Sequence, residues 1–329
     1  MVKVGINGFG RMGRLALRAA VEMNSSLEFS AINRGTPEMV AHLLKYDSVH
    51  GKAPFDVLVE GDQILVDENP IQVLYESDPE KLPWKELDVD LVLECSGLFN
   101  DREGASKHIQ AGAKKVLISA PAKKPDVTVV LGVNDEDYDK EKHHIVSNAS
   151  CTTNCAAPVT KVMNDEFGID NGFISTIHAY TTSQNLLDKS HKDFRRARAA
   201  ALNIIPTSSG VTKAIGEVIP SLSGKLDGMA FRVPVPNVSL IDYVLNLEKE
   251  ATVDEINGTL KRASEESMKG ILGYTSEPLV SVDYVHSPYS SVVDSLETRV
   301  KGKMVKVLAW YDNEWGYCCR LIELAEKMF

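Results

Sequence analysis

A glycine-rich turn near the start of the chain constrains the fold more than any other feature of the sequence. Residues 1–7 read as a strand, and MGRLALRAAVEM after them has apolar residues at helical spacing. Gly8, Gly10 and Gly13 lie between these segments in the G-x-G-x-x-G spacing. In this context Gly8 allows a tight turn, Gly10 lets backbone approach a pyrophosphate, and Gly13 permits close helix–strand packing. The pattern predicts a dinucleotide site at the helix N-terminus. The alternative is the same turn without a ligand.

The remaining hydrophobic pattern divides the chain into two parts. In the first half, predicted strands at 27–33, 90–97, 114–121 and 126–133 alternate with helical pieces, one of them REGASKHIQAGA. This alternation indicates a parallel sheet with crossover connections. In the second half, long strand-like runs follow one another with little helix between them, which indicates a mostly antiparallel sheet. These runs are 172–181, 229–248, 278–284 and 304–312, and helices are predicted at 252–268 and 315–329.

Length and composition agree with a two-domain globular protein. The chain has 329 residues, with 43% hydrophobic and 25% charged residues and a net charge of −10. That charge argues against a dedicated nucleic-acid binder, and no run of eighteen apolar residues predicts a membrane span. Five cysteines at irregular spacing do not form a disulfide pattern, so we expect a reducing, cytoplasmic setting. The basic segment KSHKDFRRAR is interpreted either as a solvated surface or as an anion site.

The end of the second predicted strand bears on which dinucleotide is bound. An NAD site usually carries Asp or Glu there, bonded to the ribose 2′-hydroxyl. This chain reads AINRGTPE, with Arg34 at that place and Glu38 four residues later. A guanidinium attracts a 2′-phosphate whereas a carboxylate repels it, so Arg34 predicts NADP. The alternative is a solvated loop arginine.

The stretch SNASCTTNCAAP places a cysteine where a helix begins. Asn148 or Ser150 could cap this helix, and its dipole would stabilise a Cys151 thiolate. Cys155 lies on the same helix face, but we find no partner pattern for a metal and predict none. Among eight histidines, His178 in ISTIHAYT is the best candidate base, because it ends a strand facing a polar loop. Sequence alone does not place His178 beside Cys151.

Several long motifs resemble one known family. GINGFGRMGR, LLKYDSVHG, SNASCTTNC, HAYT, RRARAAALNIIPTSSG, RVPVPNVSLIDYV and WYDNEWGY occur in the order typical of phosphorylating glyceraldehyde-3-phosphate dehydrogenases. The resemblance implies an N-terminal Rossmann dinucleotide-binding domain (1–150) and an α+β catalytic domain with a mostly antiparallel sheet (151–314). It also implies a C-terminal helix (315–329) that packs back on the first domain, and a homotetramer in the cytoplasm that serves glycolysis or gluconeogenesis.

The resemblance also assigns roles to individual residues. Cys151 is implied as the nucleophile toward an aldehyde, and His178 as the base that lowers the pKa of the thiol. A thioester would form and be released by inorganic phosphate. The implied ligands of the substrate phosphate are Thr181, Arg196 and Arg232. Those of inorganic phosphate are Ser150, Thr152, Ser209 and Gly210. Those of the cofactor are Gly8, Gly10, Arg11, Met12, Gly13, Asn33, Arg34, Ser96, Ser119, Ser190, Asn313 and Tyr317. Of these, Asn313 is implied as the residue that holds the nicotinamide carboxamide.

The chain departs from the family pattern in three places. Arg34 replaces the acidic residue, and Ser183 stands where many members have Asp, in the substrate-phosphate region. Lys189-Ser190 replaces the Leu-Pro that crowds the ribose 2′ position in NAD-specific members. The first and third departures both favour NADP, with NAD still accepted. An erythrose-4-phosphate dehydrogenase and a non-catalytic binding role remain as alternative functions.

Overall fold

The computed structural model describes every residue from Met1 to Phe329. The chain forms two compact units. The first comprises Met1–Val129, Asp135–Ser150 and Cys318–Phe329, and the second comprises Val130–Asn134 and Cys151–Tyr317. No helix combines the length and the apolar composition needed to cross a bilayer.

The first unit begins with the strand, glycine turn and helix expected from the sequence. Its elements are β1 (Lys3–Asn7), α1 (Arg11–Glu22), β2 (Glu28–Asn33), α2 (Pro37–Lys45), β3 (Tyr46–Asp47), β4 (Gly51–Lys52), β5 (Val57–Glu60), β6 (Gln63–Val66), β7 (Asn69–Leu74), β8 (Leu91–Glu94), α3 (Arg102–Gln110), β9 (Lys115–Ile118), β10 (Val127–Thr128) and β11 (Ile145–Ser147). Nine strands form one sheet in the order β10-β11-β9-β8-β1-β2-β7-β6-β5. The strands from β10 to β7 are parallel, and β6 and β5 add an antiparallel hairpin at the edge.

The parallel arrangement brings the carboxyl ends of β1, β2 and β8 to one edge of the sheet, which is where doubly wound folds bind their ligands. The buried strands are nearly continuous runs of apolar residues, as expected for a sheet covered on both faces. Trp84 is fully buried in this core, against Val92 and Val116.

The second unit is built on a mixed sheet. Its elements are α4 (Cys151–Phe167), β12 (Ile169–Ala179), β13 (Ile205–Ser208), α5 (Val211–Val218), β14 (Leu226–Val233), β15 (Ser239–Leu247), α6 (Val253–Glu265), β16 (Leu272–Thr275), β17 (Ser291–Lys301) and β18 (Met304–Tyr311). Seven strands lie in the order β13-β14-β12-β15-β18-β17-β16. Four of the six pairings are antiparallel, and β12–β14 and β16–β17 are parallel. The last helix, α7 (Trp315–Lys327), begins in this unit, and from Cys318 onward the chain belongs to the first.

Three predicted strands differ from the structure. The run 229–248 is two strands, β14 and β15, separated by a turn that contains Pro234 and Pro236. The run 278–284 is not a strand. It ends in a 3₁₀ turn, Ser281–Tyr284, where Asp283 accepts from the amide of Val280. Of 126–133, only Val127–Thr128 pairs in the sheet.

Candidate active site

Cys151 is the first residue of α4 and lies at the start of a largely buried helix. Thr152, Thr153, Asn154 and Cys155 follow it in the first turns, and all four are buried. Ala149, just before the helix, has a left-handed backbone with φ 54°. Such a conformation is uncommon for a residue with a side chain, and it is found at functional sites where the surrounding structure holds it. The amide of Ala149 donates to Ser147 Oγ at 3.1 Å.

His178 faces the cysteine from the centre of the second sheet. It lies on β12, between β14 and β15, and is 4% exposed. Its Nε2 is 3.6 Å from Cys151 Sγ, although 27 residues separate the two in the chain. The structure therefore brings together the two residues whose pairing the sequence could not establish.

The second ring nitrogen of His178 lies beside a backbone carbonyl and a guanidinium. Nδ1 is 2.7 Å from the carbonyl oxygen of Ala179 and 2.8 Å from Arg232 Nη1, which itself donates to the same carbonyl at 3.0 Å. The carbonyl oxygen can only accept and the guanidinium can only donate, so these two contacts of Nδ1 favour opposite tautomers, and we take the one with the ring proton on Nδ1 as the reactive form. The Nε2 lone pair then faces Cys151 Sγ, which is the orientation that a base toward this thiol needs.

Burial makes this pair neutral. Together with the nearby charges of Arg232 and Arg196, burial lowers the pKa of His178 to about 3. Burial also raises the pKa of the Cys151 thiol, while the positive charge of Arg232 opposes that rise. That His178 lowers the pKa of the thiol stays a prediction. The charge that favours a thiolate belongs to Arg232.

A chain of three hydroxyl groups supports the cysteine turn, and the sequence did not reveal it. Tyr311 OH lies 3.1 Å from Thr152 Oγ1 and 3.0 Å from Thr176 Oγ1, and it is 2% exposed. Its ring meets that of His178 edge to face, with centroids 6.0 Å apart. Tyr311 therefore braces both the cysteine turn and the histidine strand. Tyr311 belongs to the motif WYDNEWGY, but the sequence did not indicate a role for its hydroxyl.

The expected ligands of the substrate phosphate have different surroundings. Arg232 lies against His178, as described, and Arg196 Nε donates to Thr207 Oγ1 at 2.9 Å. Arg196 belongs to the basic segment 189–198, and its positive charge contributes to lowering the pKa of His178. Thr181 Oγ1 lies 2.9 Å from Ser183 Oγ. The serine that departs from the family pattern therefore forms a hydrogen bond with a residue expected to bind the substrate phosphate.

The expected ligands of inorganic phosphate lie at two helix starts. Ser150 directly precedes α4, and the Thr152 hydroxyl is engaged by Tyr311. Ser209 Oγ accepts from the amide of Val211 at 3.3 Å, and the exposed Gly210 caps α5. Each helix start offers amide donors to an anion.

Asn313 is held by a serine that the sequence also did not reveal. Ser239 Oγ donates to Asn313 Oδ1 at 2.8 Å and accepts from the amide of Ala179 at 3.1 Å. Ser239 is 1% exposed and Asn313 is 6% exposed. Tyr317, four residues on, is 4% exposed in α7. Ser190 is exposed in the loop after β12.

The glycine loop of the first unit has the shape that a pyrophosphate requires. Gly8 has φ 95°, and a Cβ there would lie 2.5 Å from the Ser96 backbone. A Cβ on Gly13 would lie 2.2 Å from the carbonyl oxygen of Gly8. A Cβ on Gly10 would meet nothing within 4 Å, and no side chain caps α1 at this position. The loop thus fits a dinucleotide at the helix start, beside Arg11 and Met12.

A buried network braces this loop. Glu94, 1% exposed, accepts from Asn7 Nδ2 at 2.6 Å and from the amide of Ser96 at 2.8 Å, and it lies 3.0 Å from His108 Nε2. Asn33 Nδ2 donates in turn to Asn7 Oδ1 at 2.7 Å. Sequence reasoning missed Asn7 and Glu94, which lie inside predicted strands and read as core.

Asn33 and Ser119 act within this edge of the sheet. The Asn33 side chain also exchanges bonds with the backbone of Glu76, at 2.9 Å in each direction. Ser119 Oγ donates to the Glu94 carbonyl at 3.0 Å. A direct contact of either residue with a cofactor stays a prediction.

Arg34 follows β2 in a left-handed conformation with φ 90°. Its amide donates to the carbonyl of Leu74 at 2.9 Å, and its exposed guanidinium makes no hydrogen bond or ion pair with the rest of the chain. The side chain is therefore available to an anion at the carboxyl edge of the sheet.

A parallel sheet with a glycine loop at its carboxyl edge, followed by a domain with a cysteine–histidine pair, is the arrangement expected of a nicotinamide-dependent dehydrogenase. Residues 2–102 match the model of the glyceraldehyde 3-phosphate dehydrogenase NAD binding domain, and residues 150–313 match that of the C-terminal domain. The chain is 56% identical over 326 residues to glyceraldehyde-3-phosphate dehydrogenase of Geobacillus stearothermophilus, covering 98% of this chain and 97% of the relative. It is 55% identical to enzyme 1 of Bacillus subtilis, with the same coverage. It is 53% identical to enzyme 2 of Trichormus variabilis, covering 99% and 98%.

The chain belongs to the glyceraldehyde-3-phosphate dehydrogenase family. The expected fold class, a Rossmann domain followed by a catalytic domain, is thereby confirmed, and so is the expectation of an oxidoreductase that uses a nicotinamide dinucleotide.

Proposed function

We propose that the protein oxidises D-glyceraldehyde 3-phosphate to 1,3-bisphosphoglycerate through a thioester on Cys151, reversibly and with NADP preferred over NAD. The observation that carries this proposal is the 3.6 Å approach of His178 Nε2 to Cys151 Sγ. Erythrose 4-phosphate is the competing substrate within the same chemistry.

The first task of the site is to make the thiol nucleophilic. As Sγ attacks the aldehyde carbon, His178 Nε2 takes the thiol proton and passes it to the aldehyde oxygen, so that a hemithioacetal forms and the imidazole is neutral again. A neutral imidazole is ready for this transfer, and the Ala179 carbonyl stabilises the imidazolium through Nδ1–H. The Arg232 guanidinium favours the negative charge that develops on sulfur.

Oxidation leaves the acyl group on sulfur. The nicotinamide cofactor, when bound, supplies the acceptor for the hydride that leaves the hemithioacetal carbon. His178 takes the hydroxyl proton, and the carbonyl of a thioester forms. Inorganic phosphate then attacks that carbonyl and loses its proton to solvent, the C–S bond breaks, and the acyl phosphate leaves while the Cys151 sulfur takes back the proton held by His178. Ser150, Thr152, Ser209 and Gly210 are the proposed phosphate ligands, and Thr181, Arg196 and Arg232 hold the phosphate of the aldehyde.

The thioester is tested by withholding phosphate. With glyceraldehyde 3-phosphate and cofactor alone, we expect a burst of about one reduced cofactor per subunit and an acyl adduct on the Cys151 peptide by mass spectrometry. Inorganic phosphate should release the adduct and start turnover. Cys151→Ser should show neither burst nor adduct, whereas Cys155→Ser, altered one helical turn away, should show both. Steady turnover without phosphate, or an adduct on another residue, would contradict the proposal. Parallel rates with erythrose 4-phosphate identify the better substrate.

The cofactor preference rests on Arg34. A charge-assisted hydrogen bond to the 2′-phosphate contributes about 1.5–3 kcal/mol, which is roughly ten- to a hundredfold in preference. Arg34→Asp should therefore reverse the order of kcat/KM for NADP and NAD. Lys52→Asp makes the same charge change at another exposed position of the first unit and should leave the ratio unaltered. A wild-type enzyme that prefers NAD tenfold, or an unchanged ratio in Arg34→Asp, refutes this part of the proposal.

We also propose a cytoplasmic homotetramer. All five cysteines are free, which suits a reducing compartment. The loop after β12 exposes several large apolar side chains, which suits burial against another copy of the chain.

A further inference from the structure

Ser239 lies where three neighbouring strands of the second sheet end. It is the first residue of β15, it pairs with Tyr311 at the end of β18, and its hydroxyl accepts from Ala179 at the end of β12. Its other hydrogen bond runs to Asn313 Oδ1, two residues beyond β18. The side chain therefore joins the strand that carries His178 to the residue proposed to hold the nicotinamide carboxamide.

The chemistry of the hydroxyl decides how the Asn313 amide is turned. A serine hydroxyl has one proton to donate, and the amide of Ala179 already uses its acceptor side. If the Asn313 amide were reversed, its NH₂ group would face the hydroxyl, and the Ser239 proton would lose its acceptor at a site that is 1% exposed. A buried donor without a partner is costly, enough to favour one orientation by tenfold or more.

The backbone before Ser239 is held in a demanding conformation. Val238 has φ 66°, which is an outlier for a β-branched residue, and it is 2% exposed in a cluster with Tyr284 and Val292. Outliers of this kind persist where the surrounding structure over-determines them, and they cluster at functional sites. Here the packing of Val238 fixes the place of the Ser239 hydroxyl between its two partners.

We propose that Ser239 is a positioning residue for the cofactor: it fixes the Asn313 amide with its oxygen inward, so that the Nδ2 donors are presented to the carbonyl of the nicotinamide carboxamide. Ser239 touches neither substrate nor cofactor in this role and acts only through Asn313. The inference rests on the proposed contact of Asn313 with the carboxamide, and the two claims are tested by different variants.

The test compares two ligands by calorimetry, the complete dinucleotide and adenosine diphosphate ribose, which lacks the nicotinamide ring. In Ser239→Ala the dissociation constant of the dinucleotide should rise about tenfold, while that of adenosine diphosphate ribose should stay within twofold of wild type. The second value also shows that the variant has folded. Ser239→Thr retains the hydroxyl and should bind more like wild type than Ser239→Ala. Ser291→Ala removes another fully buried serine hydroxyl of the same sheet and should alter neither affinity.

A double-mutant cycle separates positioning from a general loss of packing. Once Asn313→Ala has removed the amide, Ser239→Ala should add less than twofold to the loss. Fully additive effects, or equal losses for both ligands in Ser239→Ala, overturn the role of Ser239. If Asn313→Ala itself leaves dinucleotide binding unchanged, the proposed Asn313 contact is wrong. If only Asn313→Ala weakens binding, the Ser239 inference fails and the Asn313 contact stands.

Discussion

At the scale of single residues, Arg232 connects the two parts of the proposed reaction. Its Nη1 is 2.8 Å from His178 Nδ1, and the same guanidinium is expected to bind the phosphate of the substrate. In the free protein its charge acts with burial to lower the pKa of His178. A bound phosphate dianion would offset that charge, so we expect the pKa of His178 to rise when substrate binds.

This coupling predicts two different acid limbs in the pH–rate profiles. Protonated His178 cannot act as a base, and the free-enzyme pKa of about 3 keeps it neutral throughout the usual assay range. The limb that His178 sets in kcat/KM, which reports the free enzyme, should lie at lower pH than its limb in kcat, which reports the complex. Rates between pH 4.5 and 8 test this prediction.

Removing the guanidinium provides the control. Arg232→Gln should raise the pKa of His178 even in the free enzyme and move the kcat/KM limb to higher pH. Arg195→Gln removes a charge at an exposed position of the basic segment 189–198 and should not move it. Coincident limbs in the wild type would mean that Arg232 does not couple the phosphate to the base.

The sequence could predict some of these residues and not others, for a physical reason. The glycine spacing and the helix-start cysteine are local patterns, and their roles can be inferred from the geometry of one turn or one helix start. The hydroxyls of Tyr311 and Ser239 acquire their roles from partners on other strands, and Thr152 is 159 residues from Tyr311. The helix start at Cys151 is visible in the sequence, whereas the burial that raises the pKa of its thiol is not.

At the scale of secondary-structure elements, an ion pair fastens the start of α1 to the β3–β4 turn. Arg11 pairs with Asp47, whose side chain is 4% exposed and also accepts from the amides of Val49 and His50 at 2.9 and 3.0 Å. These donors outweigh the effect of burial and lower the pKa of Asp47 to about 2. The stabilisation is present above the unfolded-state pKa near 4 and is lost as pH falls toward 2.

Replacement of this carboxylate should therefore have a pH-dependent cost. Asp47→Asn should lower the free energy of unfolding at pH 7 by about 1–2 kcal/mol, after allowance for screening by solvent. The difference from wild type in melting temperature, measured by calorimetry, should shrink between pH 7 and pH 3. Asp88→Asn breaks an ion pair with Lys3 at a side chain that is 81% exposed, and it should have little effect at either pH. An Asp47→Asn penalty that does not depend on pH would rule out the ion-pair explanation.

Proline and side-chain capping explain the elements that the hydrophobic pattern misassigned. Pro234 and Pro236 cannot donate ladder hydrogen bonds, so the apolar run 229–248 divides into two strands. In 278–284 Asp283 closes a tight turn, and the alternation does not give one buried face: Val280 is 59% and Val282 68% exposed, whereas Tyr284 is buried. Thr252, in contrast, predicted the start of α6 correctly, since its capping box with Glu255 is a local signal.

At the scale of the whole molecule, the loop after β12 and the 3₁₀ turn that follows it carry apolar surface unusual for a monomer. The side chains of Leu186, Leu187, Phe194, Leu202 and Ile204 are 68–88% exposed. Apolar patches of this kind mark protein–protein contacts. In the proposed tetramer, this surface lies between copies of the chain.

Polar replacement of this surface should weaken the assembly. The double variant Leu187→Ser/Phe194→Ser should sediment as smaller species than wild type at micromolar concentration in analytical ultracentrifugation. Leu58→Ser alters another exposed apolar residue, on the edge hairpin of the first unit, and should sediment as wild type. A monomeric wild type would contradict the proposal directly, and an undiminished tetramer in the double variant would place the contact elsewhere.

The glycine loop, finally, has an evolutionary consequence. The fold itself requires Gly8 and Gly13, because a Cβ at these positions would lie only 2.5 and 2.2 Å from backbone atoms. A Cβ on Gly10 would meet nothing within 4 Å, so only the ligand bound there requires a glycine at this position. A lineage that ceased to use its dinucleotide could therefore replace Gly10 without loss of folding, while it would still have to keep the other two. The ligand, and not the packing of the loop, thus accounts for a glycine at position 10.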